Sequence, residues 1–326
     1  MNNHLYTCLV MFFACIMISC QGQRASEGNE DIAIETKDSL LTISWKGHPV
    51  MTYHVGITHP PDGKPAHYRR SGFLHPVYTP DGQIITDGFP EDHEHQHGWF
   101  YALTRTHFRD SLIDFWNQQS DLGTVALRSL DSVSHDAVKA DIYATLDHIS
   151  TRFGPILEEK WHLQVLPGMD YHTFYWETTL TNTTADTLFV DDYIYGGLGM
   201  RGPAAWNEAD SLHFQERAQA LTSDGNTLID GNHTRPVWAA MYGKLGDDYA
   251  GWAIIDQPGN INYPQPVRIH PEMPYFCKAP MVGHPYVLAP GQPMTLRYLL
   301  VTYDGEPDPE LLNRLTDRMP DAFSPG

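Results

Sequence analysis

The stretch ILEEKWHLQVLPGMDYHTFYWETTLTNTTADTLFV, residues 156–190, decides the fold class. Apolar and polar side chains alternate along 156–165 and again along 171–181, which is the period of a half-buried β-strand. The polar run 182–186 reads as a turn, and 187–190 resumes the apolar pattern. Strands joined by short polar turns predict a β-meander.

The same alternation occurs outside this stretch, while helical periodicity is weak except near the end of the chain. Further strands are predicted at 32–45, 138–149, 238–242, 250–255 and 294–303, and a helix at 310–318. The chain has 24 Pro and 26 Gly, which punctuate many short strands. We expect an all-β fold, a large two-sheet β-sandwich, in a single domain over 32–326, because no linker divides these residues.

The N-terminus predicts export. Residues 1–19 carry no charged side chain, and the apolar part is too short to span a bilayer but fits a signal peptide. Met17-Ile18-Ser19-Cys20 resembles a bacterial lipobox, so we expect Cys20 to be lipidated and 20–31 to form a flexible tether. The usual basic start is missing, and an ordinary secretory peptide is the alternative. Gln21 after the cysteine favours an outer-membrane lipoprotein of the cell envelope, periplasmic or surface-facing, held by its lipid anchor alone.

Composition narrows the partners. The formal net charge of −19 disfavours nucleic acid, whose phosphates such a surface repels. Once the signal peptide is removed, no apolar run is long enough for a transmembrane helix. The many aromatic residues (8 Trp, 17 Tyr and 13 Phe) can stack on sugars, although most are expected to fill the core.

The most distinctive chemistry lies in the run His93-Glu94-His95-Gln96-His97, preceded by Asp92. On a strand, His93, His95 and His97 would share one face, about 7 Å apart, with Asp92, Glu94 and Gln96 on the other. The imidazoles could then meet one substrate or one metal ion. Surface or core histidines are the alternative, since the chain has 18.

Several blocks around this run resemble a bacterial group called "PmoA family" proteins, a domain of unknown function. The matching blocks are 70–76, 79–82, 86–87, 92–98, 195–202, 256–260, 288–291 and 296–298. Gln257 and Glu94 depart from the group, which often has histidine and proline there. The name suggests a methane oxygenase subunit, but such subunits are polytopic helical membrane proteins, unlike the mature chain expected here.

The resemblance implies a role in carbohydrate metabolism, because members look like companions of sugar oxidoreductases and isomerases in glycan-degrading bacteria. A sandwich with histidines and carboxylates on a concave face also resembles the galactose-mutarotase-like supersandwich, which hosts epimerases, lyases and hydrolases. We therefore expect a carbohydrate-active enzyme with a histidine-rich site that acts on a small sugar or a glycan.

Within that hypothesis each residue type has a role. His93, His95 or His97 would be general acid or base, and Asp87 or Asp92 would orient a histidine. The expected substrate-binding residues are Arg70, His75, Arg201, Asn260 and Trp99. A structural ion pair is an equally good explanation for either arginine.

Two other hypotheses stay open. The sequence requires no cofactor, but two or three of the histidines, with Asp92 or His75, could bind a divalent metal such as zinc. Alternatively, the protein is a non-catalytic glycan-binding lipoprotein that serves glycan uptake, with Trp99, Trp116 and Trp206 as stacking platforms.

Overall fold

A computed structural model describes residues 31–322, with side chains up to residue 318. The expected signal peptide, Cys20 and nearly all of the tether therefore lie outside the described residues. Within the described part, no helix is both long and apolar enough to cross a membrane.

The described residues form twenty strands and one α-helix, with short 3-10 helices at Ala66–Tyr68, Gln118–Ser120 and Ala204–Trp206. In chain order the elements are β1 Ile32–Lys37, β2 Leu40–Trp45, β3 His48–His54, β4 Leu74–Val77, β5 Trp99–Ala102, β6 Thr106–Phe108, β7 Ser111–Ile113, β8 Gly123–His135, β9 Ala140–Ser150, β10 Gly154–Leu166, β11 Tyr171–Asn182, β12 Leu188–Val190, β13 Gly197–Arg201, β14 Gln219–Thr222, β15 Trp238–Leu245, β16 Asp248–Asp256, β17 Val267–Ile269, β18 Tyr275–Lys278, β19 Tyr286–Leu288, β20 Pro293–Asp304 and α1 Pro309–Ala322.

Two eight-stranded antiparallel sheets make up most of the fold. The first sheet has the order β1-β2-β3-β4-β5-β13-β18-β17, and the second β14-β15-β16-β20-β11-β10-β9-β8. A small third sheet has the order β19-β12-β6-β7. The predicted all-β, two-sheet architecture is confirmed.

The hairpin of β10 and β11 shows why the alternating stretch folds this way. Trp161 lies opposite Thr178, and Leu163 lies opposite Trp176. These inward side chains are buried, while those between them are mostly half-buried, so one face is committed to the core. Each fully buried large apolar side chain contributes about 1.5–3 kcal/mol, which holds the register because a one-residue slip would expose the whole set.

The two large sheets pack face to face through aromatic contacts. The ring of Tyr53 on β3 stacks on Trp161 of β10 with centroids 5.6 Å apart. Trp99 on β5 meets Phe174 of β11 edge to face at 5.3 Å. Offset or edge-on pairs of this kind add to the stabilisation from burial alone. The interior between the sheets is therefore a packed core.

The second sheet is joined by the last strand of the chain. β20 pairs with β11, where Tyr298 lies opposite Trp176, and with β16, where Val301 lies opposite Ala253. It thus connects the meander β8–β11 to β14–β16. Both neighbours of this strand precede it in sequence, so the sheet is complete only when the C-terminal region has folded.

Gly98, just before β5, offers a test of how tightly the first sheet holds the segment that precedes it. Its φ is +63°, and a Cβ atom there would lie 2.2 Å from the carbonyl oxygen of Leu74. We expect Gly98→Ala to lower the free energy of unfolding by at least about 3 kcal/mol, since strain and a backbone clash act together.

Gly246→Ala is the matched control for urea unfolding. Gly246 has a φ of +68°, but no atom lies within 4 Å of its added Cβ. Its loss should be only about 1–2 kcal/mol, the conformational cost alone. Equal losses in the two variants would contradict the packing assigned to Gly98.

Candidate functional site

The histidine run lies in a loop. The backbone N–H of His93 donates to the carbonyl of Pro90 at 3.0 Å, and that of Gln96 donates to the carbonyl of His93 at 2.9 Å. These bonds make two successive turns, in which side chains do not alternate between two faces. The predicted strand with three imidazoles on one side is wrong for this reason.

We call residues 89–97 the histidine loop. Its ends are tied together, because the N–H of Phe89 donates to the carbonyl of Gln96 at 3.1 Å and the N–H of Gly98 to that of Asp87 at 2.7 Å. Arg201, the last residue of β13, then donates its own N–H to the carbonyl of Gly98 at 2.8 Å. The loop therefore projects from a base that is continuous with the first sheet.

His97 points away from the other two histidines and into the core. Its side chain is 0% exposed, and its ring packs against Phe73, Phe89 and Phe100. Its Nε2 lies 2.7 Å from Oε1 of Gln118. Burial above all, and then the positive charge of Arg70, holds its pKa well below the ordinary value. This placement gives His97 a structural role, in contrast to the catalytic role expected from the sequence.

The predicted metal-ligand set of His93, His95 and His97 is not assembled. The rings of His93 and His95 lie 5.5 Å apart, but His97 is in the core. Among residues 31–322, no three His, Cys, Asp or Glu side chains are grouped so that they could hold a metal ion. The donor set expected for zinc is therefore not brought together in the described part of the chain.

His93 and His95 do line a common depression, which we call the histidine cleft, with a volume of about 180 Å³. It lies where the histidine loop meets residues 116–119, Tyr195 just before β13, and the segment from the end of β17 to the start of β18. Its lining consists of His93, His95, Gln96, Trp116, Asn117, Gln119, Tyr195, Arg268, His270, Met273 and Tyr275.

Two imidazoles of the cleft are held neutral. Burial lowers the pKa of His95 to about 4, with a further contribution from the charge of His93. Burial also lowers the pKa of His270 to about 4, and the nearby charge of Arg268 adds to the shift. At neutral pH both rings can therefore accept a proton or a hydrogen bond at one nitrogen.

The buried side chain of Arg201 holds the histidine loop in place through hydrogen bonds. The guanidinium of Arg201 is 0% exposed and donates to Oδ1 of Asp92 and to Oε1 of Gln96, each at 2.9 Å. Partial burial alone would raise the pKa of Asp92, but the contact with His93 and the charge of Arg201 outweigh it and hold this pKa well below its usual range. Arg201 thus binds the loop and does not itself line the cleft.

Asp87 lies in a second, smaller depression of about 120 Å³, which it shares with Asp92, Glu91, Asn207 and Asp210. Burial raises the pKa of Asp87 to about 6, although the charge of Arg201 opposes the shift. Asp87 and Asp92, both predicted to assist a histidine, therefore differ in protonation behaviour. Only Asp92 contacts one, with His93 Nδ1 3.2 Å from its Oδ2.

Arg70 and Trp99 lie in the interior, away from the cleft lining. Arg70 is 1% exposed, donates to the carbonyl of Tyr101 at 2.7 Å and stands over the ring of Phe100. Trp99 is 0% exposed and packs on Phe174. Neither side chain is accessible to a ligand in this packing, so the predicted substrate contacts of Arg70 and Trp99 are not supported.

His75 and Asn260 are also engaged in internal contacts. Nδ1 of His75 lies 3.0 Å from the hydroxyl of Thr86, and its carbonyl is 2.7 Å from Nε2 of His54. Asn260 donates to Oδ1 of Asp256 and to the carbonyl of Arg297, and it accepts from the N–H of Arg297. Neither residue lines the histidine cleft.

Sequence reasoning missed Arg268 and His270, and it did not assign Tyr195 a role. Arg268 and His270 are two residues apart at the end of β17. On an extended backbone this spacing places both side chains on one face, which is the pattern that the sequence suggested for the histidine run. Tyr195 opens the block 195–202, for which the sequence offers a family resemblance and no specific role. Its hydroxyl donates to Oδ1 of Asn117 at 2.9 Å, which fixes one wall of the cleft.

Comparison with known proteins places the sequence in a family. The model of the family of unknown function DUF6807 matches residues 41–317. The chain belongs to this family. The finer resemblance to the "PmoA family" group stays a prediction. No curated protein matches the sequence significantly.

Solved structures resemble the chain only distantly. A heparan sulfate lyase HepC mutant from Pedobacter heparinus has a TM-score of 0.41 and 9% identity, over 85% of this chain and 37% of the lyase. A galactose mutarotase-like protein from Lactobacillus casei has a TM-score of 0.39 and 7% identity, over 84% of this chain and 99% of that protein. The GH36 α-galactosidase AgaA from Geobacillus stearothermophilus has a TM-score of 0.32 and 11% identity, over 84% and 41% respectively. The chain thus spans well under half of the lyase and of the galactosidase, and likenesses this distant say nothing about its activity.

The raised pKa of Asp87 predicts a pH-dependent effect of Asp87→Asn. Because the folded pKa of about 6 lies above the unfolded value, the stability linked to the protonated carboxyl is present at low pH and is lost as the pH rises through 6. The asparagine variant escapes this loss. Relative to the native chain, we expect it to gain about 2 kcal/mol between pH 4.5 and pH 8.

Urea unfolding at the two pH values measures this difference. Asp62→Asn, which removes an exposed carboxyl, is the control and should show no comparable change between them. If Asp87→Asn gained nothing with rising pH, the buried carboxyl would not be protonated as described.

Proposed function

We propose that the protein is a carbohydrate-active enzyme that binds one sugar unit in the histidine cleft and uses His95, assisted by His270, for proton transfer. The observation that carries this proposal is the convergence of these two neutral imidazoles on one small polar cleft. They come from separate parts of the chain, the histidine loop and the end of β17.

The size and lining of the cleft support a sugar ligand. Its volume of about 180 Å³ is below the range of about 300–1,000 Å³ typical of sites for drug-sized molecules, so it suits a single ring. The exposed amide of Gln119 offers both a donor and an acceptor to hydroxyl groups, and the neutral rings of His95 and His270 add further hydrogen-bonding nitrogens. Tyr195, which is half-buried, supplies aromatic surface for the apolar face of a ring.

The protonation states favour base chemistry. A neutral imidazole at His95 can take a proton from a sugar hydroxyl or from a carbon next to a carbonyl group. Tyr195 keeps its proton, because burial in the first place, together with Tyr193, raises its pKa above the ordinary value. Reactions that begin with proton removal from the sugar, such as epimerisation and β-elimination, are therefore within reach of these side chains.

A glycan-binding protein without turnover is the second candidate. The low pKa of both imidazoles favours it, since a base with a pKa of about 4 accepts a proton less readily than one near 7. In that case His95 and His270 serve only as hydrogen-bond partners of the bound sugar.

Substitution of either histidine tests the enzymatic proposal. A panel of reducing sugars and glycosides is incubated with the protein, and turnover is followed by proton NMR. We expect His95→Ala to reduce turnover by about 100-fold or more and His270→Ala to reduce it as well, because general acid–base catalysis typically contributes about 10²–10⁴.

His59→Ala is the control, since His59 is exposed and does not line the cleft. Thermal melting checks that each variant is folded. Full turnover in His95→Ala would overturn the proposed role of His95. Binding without turnover in the native protein, weakened by His95→Ala, would establish the glycan-binding function instead.

We also propose that the protein works in the bacterial envelope, anchored through acylated Cys20. The sequence Met17-Ile18-Ser19-Cys20 supports this placement. Metabolic labelling with an alkyne fatty acid should mark the native chain and Cys15→Ser, whose substituted residue lies in the expected signal peptide. Cys20→Ser should lose the label, and retention of the label in this variant would refute the anchor.

A further inference from the structure

The histidine cleft has an unusual charge for this protein. The chain carries 40 acidic against 21 basic residues, yet no aspartate or glutamate is among the side chains that line the cleft. Its ionisable lining consists of Arg268, two tyrosines and the imidazoles of His93, His95 and His270. An acidic surface thus surrounds a small depression in which positive charge predominates.

Arg268 is the source of that charge. It lies on β17 opposite Cys277 of β18, and its guanidinium makes one long hydrogen bond, 3.4 Å from Nη1 to the carbonyl of Ile269. Within residues 31–318, no carboxylate lies within 4 Å of it. Eight other arginines do have a carboxylate at that distance, namely Arg105, Arg109, Arg128, Arg152, Arg201, Arg217, Arg297 and Arg314.

The carboxylate beneath the cleft does not neutralise Arg268. Asp92 is already engaged by Arg201 at 2.9 Å and by His93 at 3.2 Å. Burial is the main cause that lowers the pKa of His270, and the positive charges of Arg268 and Arg201 lower it further. The electrostatic environment of the cleft is therefore positive before any ligand binds.

We propose that the sugar bound in the histidine cleft carries an anionic group, a carboxylate or a sulfate, and that Arg268 binds this group. The proposal rests on the carbohydrate function proposed above and names its substrate class. A guanidinium presents parallel N–H donors that match two oxygens of a carboxylate or sulfate, so it provides orientation as well as charge. His95 and His270 then face the ring of the anchored sugar.

Titration calorimetry with three matched sugars tests this substrate class. The probes are methyl glucoside, methyl glucuronide and methyl glucoside 6-sulfate, which share the ring and the anomeric methyl group and differ only at carbon 6, as an alcohol, a carboxylate and a sulfate ester. We expect at least one anionic sugar to bind about 10-fold or more tightly than the glucoside, and to bind more weakly as salt is raised. The two anionic probes distinguish a carboxylate ligand from a sulfate ligand.

Arg268→Gln should weaken binding of the anionic sugar by about 10- to 100-fold and leave the glucoside unchanged. Arg268→Lys, which keeps the charge but loses the paired donors, should fall between these values. Arg314→Gln removes the same charge from α1 and should change nothing. Thermal melting of each variant confirms that the fold is retained.

The possible failures are distinguishable. Equal binding of all three sugars, unaffected by Arg268→Gln but abolished by His95→Ala, would overturn the anionic substrate and leave the carbohydrate site standing. Equal loss of glucoside and glucuronide in Arg268→Gln would also overturn it, since the arginine would then have no selective role. If none of the sugars bound at about 10 mM, the carbohydrate site and this proposal would fail together.

Discussion

The buried guanidinium of Arg201 is the constraint on which the site depends. A charge with no exposure is costly unless it is paired and hydrogen-bonded, and here Nη1 donates to Gln96 and Nη2 donates to Asp92. Both partners belong to the histidine loop, so the requirement to satisfy one cation at the end of β13 determines how the loop folds. The backbone of Arg201 reinforces the link, because its N–H and carbonyl bind Gly98 and Asp87 at the base of the loop. His93 and His95 reach the cleft as a consequence.

The strands were predictable because the forces that form them are local. In β10 and β11 most of the inward positions, such as Trp161 and Trp176, are apolar, and burial of one face follows directly from that period. The histidine run has the same period but a different outcome. Alternation implies a shared face only if the backbone is extended, and the glycines and prolines on either side of the run are turn residues. The tertiary pairing of Arg201 with Asp92 and Gln96 then decides the local conformation.

The candidate site was only partly predictable, for a related reason. His93 and His95 could be found because their motif is contiguous, whereas Arg268 and His270 reach the same cleft from a strand far along the chain. The sequence predicts polar residues such as Arg70 and Asn260 to bind substrate, but both are buried and make hydrogen bonds within the fold. Asn260 closes a turn by bonding Asp256 and Arg297, and Arg70 supports the carbonyl of Tyr101. Sequence shows which side chains can do chemistry, while only packing shows which of them meet solvent.

Arg201 lies near two carboxylates, Asp92 and Asp87, whose pKa values are shifted in opposite directions. Asp92 is contacted by His93 and lies beside the charge of Arg201, and together these outweigh its partial burial and hold its pKa well below the usual range, so it stays ionised. Asp87 feels the same charge only through space, which does not offset its burial, and its pKa rises to about 6. The charge of Arg201 is thus largely neutralised by Asp92, beneath the histidine loop. No such neutralisation reaches Arg268 on the far wall of the cleft, and this leaves a positive site in a strongly acidic protein.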